Sequence, residues 1–115
     1  MTDSRLDPGF APDVVAVVGN TRPDSRTLKL AGGVADGLAA QLGEAPAVTI
    51  DLIELEPEGR AFPVELAELV RGARVVIAAS PTIVGSYAGL LKLFLDGLPE
   101  AALVEKVAIP LMIAR

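Results

Sequence analysis

The fold of this chain is decided by residues 14–27, which read Val-Val-Ala-Val-Val-Gly-Asn-Thr-Arg-Pro-Asp-Ser-Arg-Thr. The five apolar residues at the start are typical of a strand that is buried on both faces. A polar loop with one glycine and two arginines follows, and an apolar-periodic helix begins directly after it. At the carboxyl end of the first strand of an open α/β sheet, such a loop is where a phosphate-bearing ligand binds.

Strand-like and helical segments alternate along the rest of the chain. Apolar residues at helical spacing predict a helix over 26–42, which Gly43 ends. Residues 47–53 alternate between apolar and polar side chains, which indicates a less buried, edge-like strand. The other predicted elements are strands at 13–19, 74–80 and 106–114 and helices at 63–71 and 87–98. The βαβαβαβ order predicts an α/β fold with a mostly parallel sheet and right-handed crossovers.

Composition excludes several classes of function. Of the 115 residues, 51% are hydrophobic but only 3% are aromatic, so the core must be aliphatic. The net charge is −5 and there is no basic run, which argues against a nucleic-acid partner. Cysteine and histidine are both absent, which removes thiolate nucleophiles, the Ser–His triad and the usual metal ligands. We therefore expect no metal site, and any chemistry must come from a cofactor or from carboxylates.

We expect no signal peptide in the first residues of the given sequence. Residues 1–12 are polar and contain proline, and we expect a flexible leader there, followed by one domain over 13–115. The leader has no apolar core of the kind that a signal peptide needs. No apolar run approaches about 18 residues, so we expect no membrane span and a cytoplasmic location.

The first loop, which follows the strand at 13–19, fits two interpretations. It lacks both the P-loop pattern and the dinucleotide GxGxxG pattern. Its amide, hydroxyls, arginines and helix-start N–H groups suit a phosphomonoester. The same residues also suit an ordinary N-capped helix with solvated arginines. The second loop, residues 80–86, follows the third strand, and two loops at adjacent carboxyl ends match the binding crevice of a doubly wound sheet. That loop could equally be a simple connection.

Three stretches in chain order resemble the NADPH-dependent FMN reductase family, which has a flavodoxin-like fold. Residues 17–27 are similar to its phosphate-loop motif G-S/N-x-R-x-x-S. Residues 79–96, Ala-Ser-Pro-Thr-Ile-Val-Gly-Ser-Tyr-Ala-Gly-Leu-Leu-Lys-Leu-Phe-Leu-Asp, are similar to its S-P-x-Y-x-x-S-x-x-G-x-L-K-x-x-L-D signature. Residues 103–111 resemble its L-x-x-K-V-x-x-P-L fourth strand. The resemblance implies a doubly wound parallel sheet with four strands in the order 2-1-3-4.

The resemblance also implies an FMN-binding oxidoreductase that passes hydride from NAD(P)H to flavin. Residues that would hold the FMN phosphate are Asn20, Arg22, Ser25, Arg26 and Thr27. Residues that would line the isoalloxazine ring are Pro81, Thr82, Ile83, Val84, Gly85 and Ser86. No catalytic side chain is expected, because the flavin carries the chemistry.

The sequence departs from the family pattern in two places. Ile83 stands where the family usually has tyrosine, which removes an aromatic contact to the flavin. The third flavin loop, normally Thr-Gly-Gly or Thr-Ala-Gly, is replaced by residues 112–115, so we expect the domain to lack its last helix and fifth strand. The fourth strand then becomes an apolar edge. Either the sequence is a fragment or another chain covers that strand, and we expect a homodimer or a heteromeric partner to cover it. The alternative function is a non-catalytic flavodoxin-like module that works by pairing with a partner chain.

Overall fold

Four parallel strands form one sheet in the order β2-β1-β3-β4, as the resemblance implied. A computed structural model describes residues 12–20, 26–43, 45–55, 62–82, 89–99 and 101–113. The strands are β1 (Val14–Val18), β2 (Val48–Asp51), β3 (Val75–Pro81) and β4 (Val107–Ile113). The helices are α1 (Arg26–Leu42), α2 (Val64–Gly72) and α3 (Gly89–Asp96), with a short 3-10 helix at Leu52–Leu55. The division into a leader and a domain stays a prediction, since residues 1–11 lie outside the described ranges.

β1 is the central strand and is buried on both faces, as its unbroken apolar run predicted. It pairs in parallel with β2 on one side and with β3 on the other. Alternating side chains divide the core in two. Val15 and Val17 join the cluster under α2 and α3, whereas Val14, Ala16 and Val18 join the cluster under α1.

α1 has the predicted boundaries and covers one face of the sheet. Its fully buried residues are small, which lets the helix lie close to the strands; they are Thr27, Ala31, Ala35 and Ala39. Gly43 donates its N–H to the Ala39 carbonyl at 3.1 Å and ends the helix as expected. α2 begins one residue later than predicted, and Pro63 occupies the N-cap position instead of the first turn. α3 is shorter than predicted, and the expected first residues 87 and 88 lie outside the described part of the chain.

The prediction for β2 was wrong in length and in burial. The strand ends at Asp51, and Leu52 continues into the 3-10 helix. β2 does lie at one edge of the sheet, but three of its four residues are buried. The reason is that α1 covers one face while the other face enters the core cluster with α2 and α3. The alternating side chains correctly indicated one apolar and one polar face of the strand. They could not indicate that α1 covers the polar face.

β4 forms the other edge of the described sheet. Ile109 and Leu111 are half-buried beside α1, but Val107 and Met112 are 58% and 46% exposed. Val107 donates to the Arg74 carbonyl, and Thr82 donates to the Ile113 carbonyl, so the odd-numbered residues pair with β3. The even-numbered residues Ala108, Pro110 and Met112 therefore direct their backbone groups away from β3.

Lys106 ties the end of α2 to the start of β4. Its ammonium group donates hydrogen bonds to the carbonyl of Arg71 and, at 2.7 Å, to the carbonyl of Ala73. These carbonyls belong to the C-terminal end of α2, where backbone acceptors have no partner within the helix. A positive charge is favourable at that end. The lysine of the fourth-strand motif thus has a structural role.

We predict that Lys106→Met lowers the free energy of unfolding by about 1–2 kcal/mol, because two backbone acceptors lose a charged donor. Urea titration measures the change as a lower midpoint at unchanged slope. Lys29→Met is the matched control, since Lys29 is exposed on α1, and it should shift stability by less than about 0.5 kcal/mol. Equal shifts in the two variants would contradict the anchoring role of Lys106.

Candidate functional site

The carboxyl ends of β1 and β3 bring the two predicted loops side by side. Val18 and Ala79 are partners in register, and Gly19 continues the ladder by donating its N–H to the Ala79 carbonyl at 2.9 Å. Asn20 therefore lies beside Ser80 and Pro81, about one strand spacing of 4.8 Å away. The first turns of α1 and α3 follow these two strand ends. The structure thus confirms that the strands before the two predicted loops end side by side, where the strand order changes direction, and the crevice itself stays a prediction.

Gly19, directly after β1, packs closely against Leu91 in the first turn of α3. A Cβ atom built on this residue would lie 2.5 Å from the Leu91 Cβ and 2.9 Å from the Leu91 backbone nitrogen. Both distances are shorter than real carbon contacts permit, and the second involves backbone that cannot rotate away. Only glycine therefore allows the end of β1 to sit against the first turn of α3. This contact fixes the end of β1 relative to the first turn of α3.

Asn20 is a buried amide without a protein partner. The residue is 3% exposed, and within the described part of the chain its Nδ2 group makes no hydrogen bond. Leaving a buried donor unpaired costs about 1–3 kcal/mol. A group with that cost is expected where a ligand supplies the missing acceptor. The position at the crevice, next to the start of α1, suits an anionic oxygen.

Arg26 and Thr27 form the start of α1, and their side chains point in different directions. Arg26 is exposed, whereas Thr27 is buried on the side that faces the sheet. α1 has no acidic residue in its first turn. The positive end of the α1 helix dipole and the adjacent cation of Arg26 therefore present positive charge at this end of the helix.

The second loop is described only at its beginning. Pro81 is buried and ends β3, and the Ser80 hydroxyl donates to the Pro81 carbonyl at 2.8 Å. Thr82 is half-buried and uses its backbone N–H to bond the Ile113 carbonyl at 2.9 Å. That N–H is consequently not available to a ligand. The other predicted site residues lie outside the described residues; they are Arg22, Ser25, Ile83, Val84, Gly85 and Ser86.

A separate apolar cavity of about 270 Å³ lies between α2 and α3. Phe62 and Phe94 meet there edge to face, with ring centroids 5.7 Å apart. None of the predicted flavin-binding residues lines it. Within the described ranges, no group of three or more acidic, histidine or cysteine residues could hold a metal ion.

Two features of the site were missed at the level of sequence. The contact of Gly19 with Leu91 joins residues that are far apart in the chain, and its signal was the single glycine after the first strand. Asp51 is the other: its carboxylate is buried at the carboxyl end of β2, in register with Val18. The signal was a charged residue within the alternating segment that predicted the second strand.

Comparison with known proteins identifies the family of the chain. The family model of NADPH-dependent FMN reductase matches residues 12–115, nearly the whole chain. The chain belongs to this family. The match includes both loops of the crevice, so the resemblance of their motifs is confirmed at the level of the family.

Solved structures of similar proteins agree with the family and the fold. An NADH:FMN oxidoreductase (EMOB), solved in its apo form, is 35% identical with a TM-score of 0.75. The match covers 88% of this chain and 57% of that one. An oxidoreductase from Corynebacterium diphtheriae is 26% identical with a TM-score of 0.70, over 90% of this chain and 64% of that one.

This member of the FMN reductase family therefore spans about three fifths of the length of these two solved structures. The flavodoxin-like fold is confirmed. No curated protein sequence matches the chain significantly. None of the helices in the described ranges has the length and apolar character that a bilayer crossing requires.

We predict that Gly19→Ala destabilises the protein by about 1–3 kcal/mol, because the added methyl group overlaps the α3 backbone. Thermal or urea unfolding measures the loss. Gly33→Ala is the matched control: Gly33 lies inside α1, and a Cβ there meets nothing within 4 Å. That control should gain up to about 1 kcal/mol through helix propensity. A Gly19→Ala variant as stable as the wild type would show that the contact is not tight.

Proposed function

We propose that this chain is an FMN-binding oxidoreductase that passes hydride from NAD(P)H to flavin. The observation that carries the proposal is the buried, unpartnered amide of Asn20 at the crevice of a chain that belongs to the FMN reductase family. The NADH:FMN oxidoreductase among the solved structures supports the same chemistry. We propose a cytoplasmic location on the basis of the sequence.

The first loop fits the phosphate group of FMN. Asn20 offers the unused Nδ2 donor, and Arg26 offers a cation at the start of a helix that has no acid in its first turn. Thr27 faces the sheet, so we assign its contribution to the backbone N–H group. Arg22 and Ser25 complete the proposed set as an additional cation and hydroxyl.

The second loop fits the ring system of the flavin. Pro81 and Thr82 hold the start of this loop against β4, so the loop begins from a fixed position. Ile83, Val84, Gly85 and Ser86 would line the ring. When bound, FMN supplies the hydride chemistry itself. The protein residues bind the phosphate, orient the ring and exclude water, and none of them needs to act as an acid or a base.

The test is to titrate the purified protein with FMN and with riboflavin, which lacks the phosphate. The wild type should bind FMN more tightly, and the complex should oxidise NAD(P)H. Asn20→Leu should lower the affinity for FMN by about tenfold or more and the affinity for riboflavin by less than about twofold. The same variant should unfold at equal or higher denaturant concentration, because an unpaired buried donor is removed.

Two results would contradict the proposal. The first is a wild type that binds no flavin. The second is an Asn20→Leu variant that loses FMN and riboflavin equally, which would mean that Asn20 does not contact the phosphate. Asp36→Asn is a suitable control, because Asp36 is exposed on α1 and should leave both affinities unchanged.

The exposed strand β4 suggests that the protein also binds a partner chain. Its apolar residues Val107 and Met112 are exposed, and Pro110 removes one N–H from the outward edge. An additional strand paired with β4 would lack the hydrogen bond that the Pro110 N–H would otherwise donate. We therefore infer that a partner chain packs on the apolar faces of β4 instead of extending the sheet. We propose a second copy of the chain or a different polypeptide in this position. A chain that has lost flavin chemistry and only pairs with a partner is the competing function.

We predict that the wild type sediments as a species larger than a monomer, and that Met112→Lys increases the monomer fraction. Sedimentation velocity at several concentrations measures both. Val64→Lys is the matched control, since Val64 is 73% exposed but lies on α2. A wild type that sediments as a clean monomer and binds no ANS would contradict the proposed cover, and so would an equal effect of Val64→Lys.

A further inference from the structure

The cavity between α2 and α3 is not used by the proposed function. It has a volume of about 270 Å³, and Phe62 and Phe94 form part of its wall. Val64 and Leu93 also line it, and they are 73% and 45% exposed. The cavity is therefore open to solvent at these two residues, and a small ligand can enter it without a rearrangement of the core.

Water inside this cavity gains few hydrogen bonds from the protein. One water needs about 10–15 Å³, so the cavity has room for several. Each of them would need about two to four polar partners, but nearly all of the described lining side chains are apolar. Replacing poorly held water by an apolar group is favourable. The volume is just below the range of about 300–1,000 Å³ that drug-sized ligands fill, which suits a smaller ligand with one ring.

Glu68 gives the cavity a negative charge. Among the described residues that line the cavity, it is the one with a charged side chain. Its Oε1 atom lies 3.8 Å from the Arg71 Nη1 atom, and both side chains are more than half exposed. A long ion pair in water contributes little energy, and a carboxylate can accept hydrogen bonds at both oxygens. A positively charged ligand would therefore find an acceptor at Glu68.

Two other features of the charge distribution favour a cation over an anion. The carboxyl end of α3 borders the cavity at Gly97, and the last turn of this helix has no basic residue. The negative end of a helix dipole stabilises positive charge. The first turn of α2 also borders the cavity, but its positive end already carries Glu65. The net charge of −5 attracts cations to the protein as a whole.

We propose that this cavity binds a small organic cation of the arylalkylamine class. The aromatic ring of the ligand packs beside Phe62 and Phe94, and its ammonium group lies at Glu68. The apolar wall supplies most of the affinity, and the carboxylate selects the charge. The inference goes beyond the proposed function and does not depend on it, because none of the predicted flavin-binding residues lines the cavity.

The experiment titrates the protein with benzylamine, which is a cation at neutral pH, and follows the methyl signals by NMR. The signals of Val64, Ala67 and Leu93 should shift and saturate, with a Kd on the order of 1 mM for a ligand of this size. Benzyl alcohol is the neutral analogue and should bind about two- to fivefold more weakly. Benzoate is the anionic analogue and should bind more weakly still.

Two variants with matched controls test the charge and the volume. Glu68→Gln should lower the affinity for benzylamine about two- to fivefold and leave benzyl alcohol unchanged. Glu65→Gln is its control, because Glu65 is exposed on the same helix and is not among the lining residues. Ala67→Leu should fill the cavity and lower both affinities by about fivefold or more. Its control is Ala40→Leu, at an exposed position of α1.

Several results would overturn the inference. Shifts that do not saturate, or that lie outside the cavity, would show that no site exists there. Benzoate binding as tight as benzylamine, or equal effects of Glu68→Gln and Glu65→Gln, would show that Glu68 does not select a cation. If Ala67→Leu does not fold, Glu68→Gln decides alone, since Glu68 is exposed. No binding of benzylamine, together with a larger monomer fraction of Ala67→Leu in sedimentation, would assign the cavity to a second copy of the chain instead.

Discussion

The parallel pairing of β1 between β2 and β3 is the constraint on which the rest of the structure depends. Because both faces of β1 are covered, its five residues can only be apolar, and all polar groups are displaced to its carboxyl end. The hydrogen-bond ladder between β1 and β3 continues through Gly19. Because Gly19 has no side chain, the backbone of α3 at Leu91 can pack directly against it. The carboxyl ends of β1 and β3 therefore lie at a fixed distance from each other, which is the condition for one ligand to reach both.

Polar side chains that are buried at this edge of the sheet lower the stability of the protein, and their presence is consistent with a ligand-binding site. Asn20 holds an unpaired donor in the described structure, and Asp51 places a carboxylate beneath α1. Apolar residues at both positions would suit folding alone. Sites that bind an anionic ligand commonly retain a donor such as the Asn20 amide, because the ligand supplies the missing acceptor. We propose that the Asn20 amide lowers the stability of the empty protein and raises its affinity for an anionic group.

Much of the fold was predictable because it rests on local patterns. The apolar run of β1 and the helical spacing of α1 gave nearly correct boundaries, and the alternation of elements gave the parallel sheet. The burial of β2 was not predictable, since it depends on α1 and on the core cluster across the sheet. The same holds for Gly19 and Leu91, whose contact joins distant parts of the chain, and for Asp51, whose environment is set by a helix from another segment. Asn20 was predicted to bind the FMN phosphate. Only the structure shows that its Nδ2 atom has no hydrogen-bond partner among the described residues.

The central claim is that the start of α1, together with Asn20, receives the phosphate of FMN. A crystal structure of the protein with FMN tests this claim most directly. The account predicts a phosphate oxygen about 2.7–3.2 Å from the Asn20 Nδ2 atom, with the ring beside the loop that follows β3. FMN bound elsewhere, such as in the apolar cavity between α2 and α3, or a phosphate that leaves the Asn20 amide unpaired, would contradict it.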